Sequence, residues 1–398
     1  MKQRIFIAIH YMEIGGAEIS LVGLLNAIDY TRYDVDLFIY SHRGEFMSLI
    51  PEQVNILPES KKYASIEMPM RTVLVQGYWD IIVARLLARF RFQAYAKKHK
   101  LIESAAHFQY ISNATTPLLG SLEKYGEYDV AISFLAPHNI VRDKVKAKKK
   151  IAWIHTDYTN VSANVELEVP VWDSFDHIIS ISEQVSDTFS LIFPSLRSKL
   201  VLMENILSPQ FVRARSEMSK VDDMPHSNGE HRFLSIGRYT RQKNFDNVPS
   251  IAKRLIDKGL KFKWYLVGYG SEEGLIRDKI VEAGVEDTVI MLGKKPNPNP
   301  YIATCDYYIQ PSRWEGKSVT VREAQMLYKP VIVTDYPTAG SQIKHGVDGV
   351  IVPMDNEGCA NGIFDFVSNT SLRDGIVEYL HSNDYGNEHE VEQLYKLI

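Results

Sequence analysis

Cysteine is nearly absent from this chain of 398 residues, with Cys305 and Cys359 the only two. They lie far apart and outside any C-x-x-C pattern. This excludes a disulfide framework and a cysteine-ligated metal site, and it fits a reducing compartment. Long apolar runs are missing too: no stretch of roughly 18 uncharged apolar residues occurs, so no segment reads as a membrane-spanning helix. The start has a basic tip and the apolar run Ile5–Ile9, too short for a signal peptide and followed at once by His10 and Glu13; it reads as a first strand. Positive charge is not in excess. With 45 Lys and Arg against 49 Asp and Glu, the formal net charge is -4, which argues against a nucleic-acid binder. Solenoid-length repeats and low-complexity tracts are lacking. Finally, no G-x-G-x-x-G follows the first strand, so the fingerprint of a dinucleotide-dependent oxidoreductase is missing.

What is present is an ordinary globular composition, 45% hydrophobic and 24% charged, on a chain long enough for two α/β domains. Short β-branched and aromatic runs read as strands: Ile5–Ile9, Val35–Tyr40, Val130–Phe134, Lys150–Ile154, His177–Ile181, Arg232–Ile236, Lys263–Val267, Val289–Leu292, Tyr307–Gln310 and Val331–Thr334. Helix-length segments such as Ala17–Ile28, Val248–Lys258 and Glu272–Ala283 lie between them. This alternation predicts mostly parallel sheets covered on both faces. The rhythm breaks once, near Ser208–His231, where the polar stretch Ser216–His231 with Pro225 and Gly229 reads as a linker or surface loop. The expectation is two Rossmann-like domains, residues 1–205 and 206–371, facing a central cleft at the carboxyl ends of their strands. The helix-like segment 372–398 is expected to pack back on the first.

Several loops after predicted strands carry chemistry. Gly15-Gly16-Ala17-Glu18 opens an amphipathic helix; it is either a tight strand-to-helix turn or a place where a backbone meets an anion. Gly237-Arg238-Tyr239 and Lys243-Asn244 put two cations in one loop, able to clamp a diphosphate or simply to be solvated. Val267-Gly268-Tyr269-Gly270 is a turn with a second reading as a base or phosphate contact. In Trp314-Glu315-Gly316-Lys317-Ser318 the P-loop spacing fails, because Pro311 stands where its first glycine belongs. The better reading is a loop whose backbone N–H groups, Gly316, Lys317, Ser318 and Val319, cap a helix and receive phosphate. Glu315 in that loop and Glu323 one turn inside the helix are placed to grip different parts of one extended ligand. His155, in Trp153-Ile154-His155-Thr156-Asp157, is either a packed histidine or a residue of the cleft.

Two basic runs remain. Arg85, Arg89, Arg91, Lys97, Lys98 and Lys100 interleave with Leu86, Leu87, Phe90, Phe92 and Tyr95; Arg142, Lys144, Lys146, Lys148, Lys149 and Lys150 form the other. Each reads as a solvated face. Together in one domain they favour contact with an anionic membrane through residues 85–100, aided by Phe90 and Phe92.

Taken together these residues resemble the retaining nucleotide-sugar glycosyltransferases of family 4. The match runs from Gly15–Glu18 through 153–157, Gly237–Tyr239, Lys243-Asn244, and Glu315 with Glu323, to Gly346-Val347-Asp348-Gly349. The stretch Glu315–Gln325 is similar to members that build capsular and other bacterial surface polysaccharides. The resemblance implies a GT-B fold whose second domain binds the donor, by default a UDP-sugar, and whose first binds a glycan or lipid-linked acceptor. It implies that Arg238 and Lys243 neutralise the leaving diphosphate and that Glu323 holds the ribose. Glu315 and His155 would face the transferred sugar and Gly16 would lie near the phosphate, with no cofactor and no metal. A cytoplasmic enzyme, peripheral on the inner face of the membrane, is the corresponding location. Gly-Lys-Ser after Glu315 departs from the Phe-Gly pair of many relatives, so their donor-sugar preference does not transfer. A GT-B epimerase or phosphorylase, or a non-catalytic GT-B scaffold, shares this architecture.

Overall fold

The central strands carry apolar residues on both faces because both faces of each sheet are covered. In the computed structural model, which describes residues 2–13, 15–99, 106–156, 158, 162–227, 229–315 and 317–398, successive strand residues alternate between two cores. Phe233, Trp264 and Tyr307 pack with Ile251, Leu255 and Ile363 on one side. Their chain neighbours Leu234, Tyr265 and Tyr308 pack with Val321, Ala324 and Met326 on the other.

The chain divides into two units, Met1–Ile206 with Glu388–Ile398, and Leu207–Asn387. The first holds β1 (Gln3–Ile9), β2 (Tyr33–Ile39), β3 (Asn55–Ile56), β4 (Tyr128–Ser133), β5 (Ala147–Ile154), β6 (His177–Ser180) and β7 (Leu200–Leu202), in the order β3-β2-β1-β4-β5-β6-β7. The second holds β8 (His231–Ile236), β9 (Phe262–Val267), β10 (Val289–Gly293), β11 (Tyr307–Gln310), β12 (Val331–Thr334) and β13 (Val350–Val352), in the order β10-β9-β8-β11-β12-β13. Every pairing between these strands is parallel. Both sheets reverse direction of growth between their first and fourth strands, and that switch point is where doubly wound folds bind ligands.

Two boundary expectations need correction. The break near Ser208–His231 opens on a helix, ahead of the polar stretch. Ser208 caps the helix Pro209–Ser216, accepting from the Phe211 N–H, and proline at the first helical position needs no donor. Val212 and Arg215 of this helix are buried. The return of residues 372–398 is also shorter than expected. The helix Thr370–Ser382 stays in the second unit, with Ile376 and Leu380 in its core. Only Glu388–Ile398 joins the first unit, where Tyr395 stacks on Tyr33 at 4.6 Å and its hydroxyl accepts from the Asp29 N–H at 2.7 Å.

The two basic runs also differ from expectation. In the second, Lys146 and Lys148 pair with Glu127 and Asp129, Lys149 donates to the Leu397 carbonyl and Lys150 to the Arg142 carbonyl, so these four lysines have internal partners. In the first, Arg85 turns inward and donates to the carbonyls of Ser65 and Met68, while half-buried Phe92 rests on His107 and Tyr110. Lys100 lies outside the described residues. Yet the helix Trp79–His99 buries Ile81, Ala84 and Ala88 and leaves Trp79, Val83, Leu86, Leu87 and Phe90 more than half exposed. Their spacing is that of a single helical stripe, and exposed Arg89, Arg91, Lys97 and Lys98 share the helix. No helix among the described residues is long and apolar enough to cross a membrane.

Candidate active site

In the second unit the switch point lies between β8 and β11, so the loops following these two strands meet although about 70 residues separate them. Hydrogen bonds lace the loops together. Asn244, in the left-handed region at φ 59°, donates from Nδ2 to the Pro311 carbonyl at 2.8 Å. Gln242 donates from Nε2 to the Trp314 carbonyl at 3.1 Å, and the Arg313 N–H returns a bond to the Gln242 carbonyl at 2.8 Å. Arg313 forks onto Asp246 at 2.9 and 3.0 Å. The result is a braced platform rather than two free loops.

Lys243 and Glu315 meet on it. Lys243 Nζ lies 2.6 Å from Glu315 Oε1, which also accepts from Ser312 Oγ at 2.6 Å and from Gln310 Nε2 at 3.5 Å. Both side chains are largely enclosed, 17% and 7% exposed. The stem of Lys243 runs over Gly237, where a Cβ would push against it. Tyr308 and Thr320 extend the network: the Tyr308 hydroxyl donates to Gln310 Oε1 at 2.8 Å and lies 2.7 Å from Thr320 Oγ1. Arg238, by contrast, is exposed and without a partner among the described residues. The ammonium is therefore preorganised and the guanidinium free to swing.

Other expected contributors stand differently. The helix Val319–Met326 begins where expected, but the Ser318 N–H is already engaged by Gln342 Oε1 at 3.0 Å, and Gln342 Nε2 donates back to the Ser318 carbonyl at 2.7 Å. Val319, at the first helical position, has no intrahelical acceptor for its N–H. Lys317 is exposed, and Gly316 lies outside the described residues. Gly268 has a packing reason: a Cβ there would collide with the Gly237 carbonyl. Glu323 departs most from expectation. Its carboxylate does not open to a ligand but sits 5% exposed, 3.5 Å from Arg215 Nη1 on the helix Pro209–Ser216. Burial pushes its carboxyl above the ordinary pKa, against the pull of that guanidinium.

The remaining expected residues belong to the first unit. At Gly15-Gly16 the carboxylate lying against the backbone is the chain's own Glu18, whose pKa burial raises, while the space beside Gly16 is open. His155 follows β5, packed on Phe134 at 4.6 Å, and its Nε2 is buried without a partner among the described residues. Burial lowers its pKa to about 3, so it is a neutral hydrogen-bonding group at physiological pH. Sequence reasoning missed Gln242, Gln310, Ser312 and Gln342; of these only Gln310, a lone polar residue ending an apolar strand, carried a local signal.

Two Rossmann-like α/β units with parallel sheets, and a cation–carboxylate platform at the switch point of the second, define a GT-B-type fold. Comparison with known proteins agrees. Residues 220–381 match the family model for glycosyl transferases group 1. The amylovoran biosynthesis glycosyltransferase AmsD of Erwinia amylovora is 25% identical over 175 residues, covering 44% of this chain and 49% of that protein. A Campylobacter jejuni N-acetylgalactosamine-N,N'-diacetylbacillosaminyl-diphospho-undecaprenol 4-alpha-N-acetylgalactosaminyltransferase is 30% identical over 38% of this chain and 40% of its own. The chain thus spans about half the length of these curated relatives or less. In fold it is similar to Anabaena HepE in complex with UDP and glucose, with a TM-score of 0.66 at 14% identity over 99% of this chain and 98% of that one.

Proposed function

We propose that this chain is a retaining, metal-independent glycosyltransferase. In this reading it moves a hexose-type sugar from a UDP-sugar to a glycan or lipid-linked acceptor in bacterial surface polysaccharide synthesis. The observation that carries it is the Lys243–Glu315 platform at the β8–β11 switch point, inside the segment that matches the glycosyl transferases group 1 model. The names of AmsD and the Campylobacter enzyme support the polymer and the lipid-linked acceptor, and the UDP and glucose in HepE support the donor.

In this reading the donor diphosphate lies over Lys243 with Arg238 swinging in, and the Val319 N–H meets a phosphate oxygen. The acceptor hydroxyl attacks the anomeric carbon on the face the diphosphate leaves. The carbon–phosphate-oxygen bond breaks, the new glycosidic bond forms, and the hydroxyl proton passes to the departing phosphate oxygen. Lys243 and Arg238 stabilise the charge gathering on UDP, the work a divalent cation does in other transferases. Glu315 orients Lys243 and faces the sugar, and neutral His155 offers a hydrogen bond. UDP is expected to raise the melting temperature of the protein, as any ligand selective for the folded state does. Proton NMR of the product is expected to show the anomeric configuration of the donor. No response to any nucleoside diphosphate, or an inverted product, would overturn the reading.

We also propose that the protein lies on the inner face of the cell membrane through the helix Trp79–His99. The exposed stripe of Trp79, Val83, Leu86, Leu87 and Phe90, with Arg89, Arg91, Lys97 and Lys98 on the same helix, suits an anionic interface. Flotation with anionic vesicles is the measurement. Binding is expected to weaken in salt, where the Debye length falls to about 3 Å at 1 M, and to drop further in Phe90→Glu. Equal binding to neutral vesicles, or none to either, would sink it.

A further inference from the structure

The first unit contains a cavity of about 220 Å³ that the donor chemistry does not use. It opens at the carboxyl ends of β4 and β5, between the segment Ala136–Asn139 and the helices Ala106–Thr115 and Val165–Trp172. Part of the lining is aromatic and aliphatic: Trp172, Tyr158, Leu167 and Val171, with the exposed ring of Phe108. The polar part comes from Glu168, His138, Gln109, Asn113 and Asn139.

The polar groups are held but not satisfied. Trp172 Nε1 and the Tyr158 hydroxyl both donate to Glu168 Oε2, at 2.9 and 3.4 Å, which fixes the two rings and the carboxyl and leaves Oε1 without a protein partner among the described residues. Asn139 Nδ2 donates to Asn113 Oδ1 at 2.6 Å, leaving the Asn113 amide donors and the Asn139 carbonyl oxygen unpaired in the same sense. His138 is 2% exposed; its Nδ1 is tied to Ser133 Oγ at 2.8 Å and its Nε2 is buried with no partner among the described residues. Buried polar atoms in folded proteins are normally paired, so this Nε2, beside the unpaired groups of Glu168, Asn113 and Asn139 on the same cavity, points to a ligand.

The lining restricts what that ligand is. Among the described lining residues there is no lysine or arginine, which disfavours a phosphate or carboxylate. Burial lowers the His138 pKa to about 3, so His138 is neutral, and pushes the Glu168 carboxyl up to about 7, where it is available as a protonated donor as well as an acceptor. An alkyl chain would cover the aromatic part but bury the amide and carboxyl atoms unpaired. The volume is below the roughly 300 Å³ at which drug-sized sites begin, and suits one ring. We infer that this cavity is a subsite for a single neutral pyranose ring, the sugar unit of the acceptor, with its C–H face on the aromatic part of the lining and its hydroxyl or acetamido groups on Glu168, Asn113 and Asn139. Its assignment to the acceptor rests on the transferase reading; the sugar site itself does not.

The test uses the full chain without nucleotide, by saturation-transfer NMR against methyl glycosides of neutral hexoses, N-acetylhexosamines and a uronic acid, with hexanol as the apolar control. Transfer is expected to the neutral pyranosides and not to the uronic acid. Leu167→Trp, which fills the cavity, is expected to cut the signal at least fivefold. Glu168→Gln, whose amide oxygen still accepts from Trp172 and Tyr158, is expected to weaken binding at least fivefold with the melting temperature held. No transfer to any neutral sugar, undiminished transfer in both variants, or displacement of the sugar by hexanol would overturn the subsite. UDP-induced stabilisation measured on the same sample separates the failures. Sugar lost with UDP retained refutes this subsite alone, and the reverse refutes the donor site alone.

Discussion

Replacing Lys243 by alanine is expected to lower kcat by about 10²–10³, the 2.7–4 kcal/mol typical of one preorganised charge contact to a developing anion. The size follows from how the ammonium is held. Its stem lies on Gly237, its Nζ is fixed 2.6 Å from Glu315, and the left-handed turn at Asn244 locks the loop to Pro311. A charge so placed needs little reorganisation when diphosphate departs. Arg238→Ala should act differently, because that guanidinium is exposed and unanchored; donor KM should rise more than kcat falls. Turnover and KM for both variants, with EDTA throughout, make the comparison. Full activity in Lys243→Ala, or loss of wild-type activity on chelation, would sink the donor-site model. Glu315→Gln supplies an internal check: it frees Lys243 from its ion pair, so UDP affinity should hold while turnover falls.

Reading the strands needed only local pattern, and ten of the thirteen among the described residues were legible. The three missed, β3, β7 and β13, are two or three residues long and lie at sheet edges. An edge strand pairs on one side only, so it needs no continuous apolar run; both residues of β3 are exposed. The loop residues of the donor site were legible for a related reason: in a doubly wound sheet the ligand loops follow apolar strands. Gln242, Ser312 and Gln342 were not, because their partners are set by the pairing of β8 with β11 and the approach of distant segments. The helix Trp79–His99 shows the limit of periodicity. It carries apolar residues on two faces, and only packing reveals that Ile81, Ala84 and Ala88 turn in while Leu86 and Phe90 turn out.

Glu323 joins the two kinds of misreading, and its variants have the second large effect. Its position one turn into a helix was legible; its partner was not, since Arg215 lies where the alternation of strands and helices breaks. Both side chains are at most 5% exposed and lie 3.5 Å apart, so each charge is a buried counter-ion of the other. Removing one partner of such a pair typically costs about 3–5 kcal/mol, because the remaining charge stays buried without its counter-ion. Glu323→Ala and Arg215→Ala should therefore each lower the melting temperature by several degrees, at about 2–4 °C per kcal/mol for a domain of this size. A double variant to alanine should be less destabilised than the sum, since no orphan charge remains. A ribose contact makes the opposite forecast for Glu323→Gln: unchanged melting and a raised donor KM. Melting curves with and without UDP decide between them. If Glu323→Gln melts with the wild type and loses only donor affinity, the carboxylate serves the nucleotide and the Arg215 pair merely aims it. If melting falls first, the pair is what seats the helix Val319–Met326 beneath the Lys243–Glu315 platform.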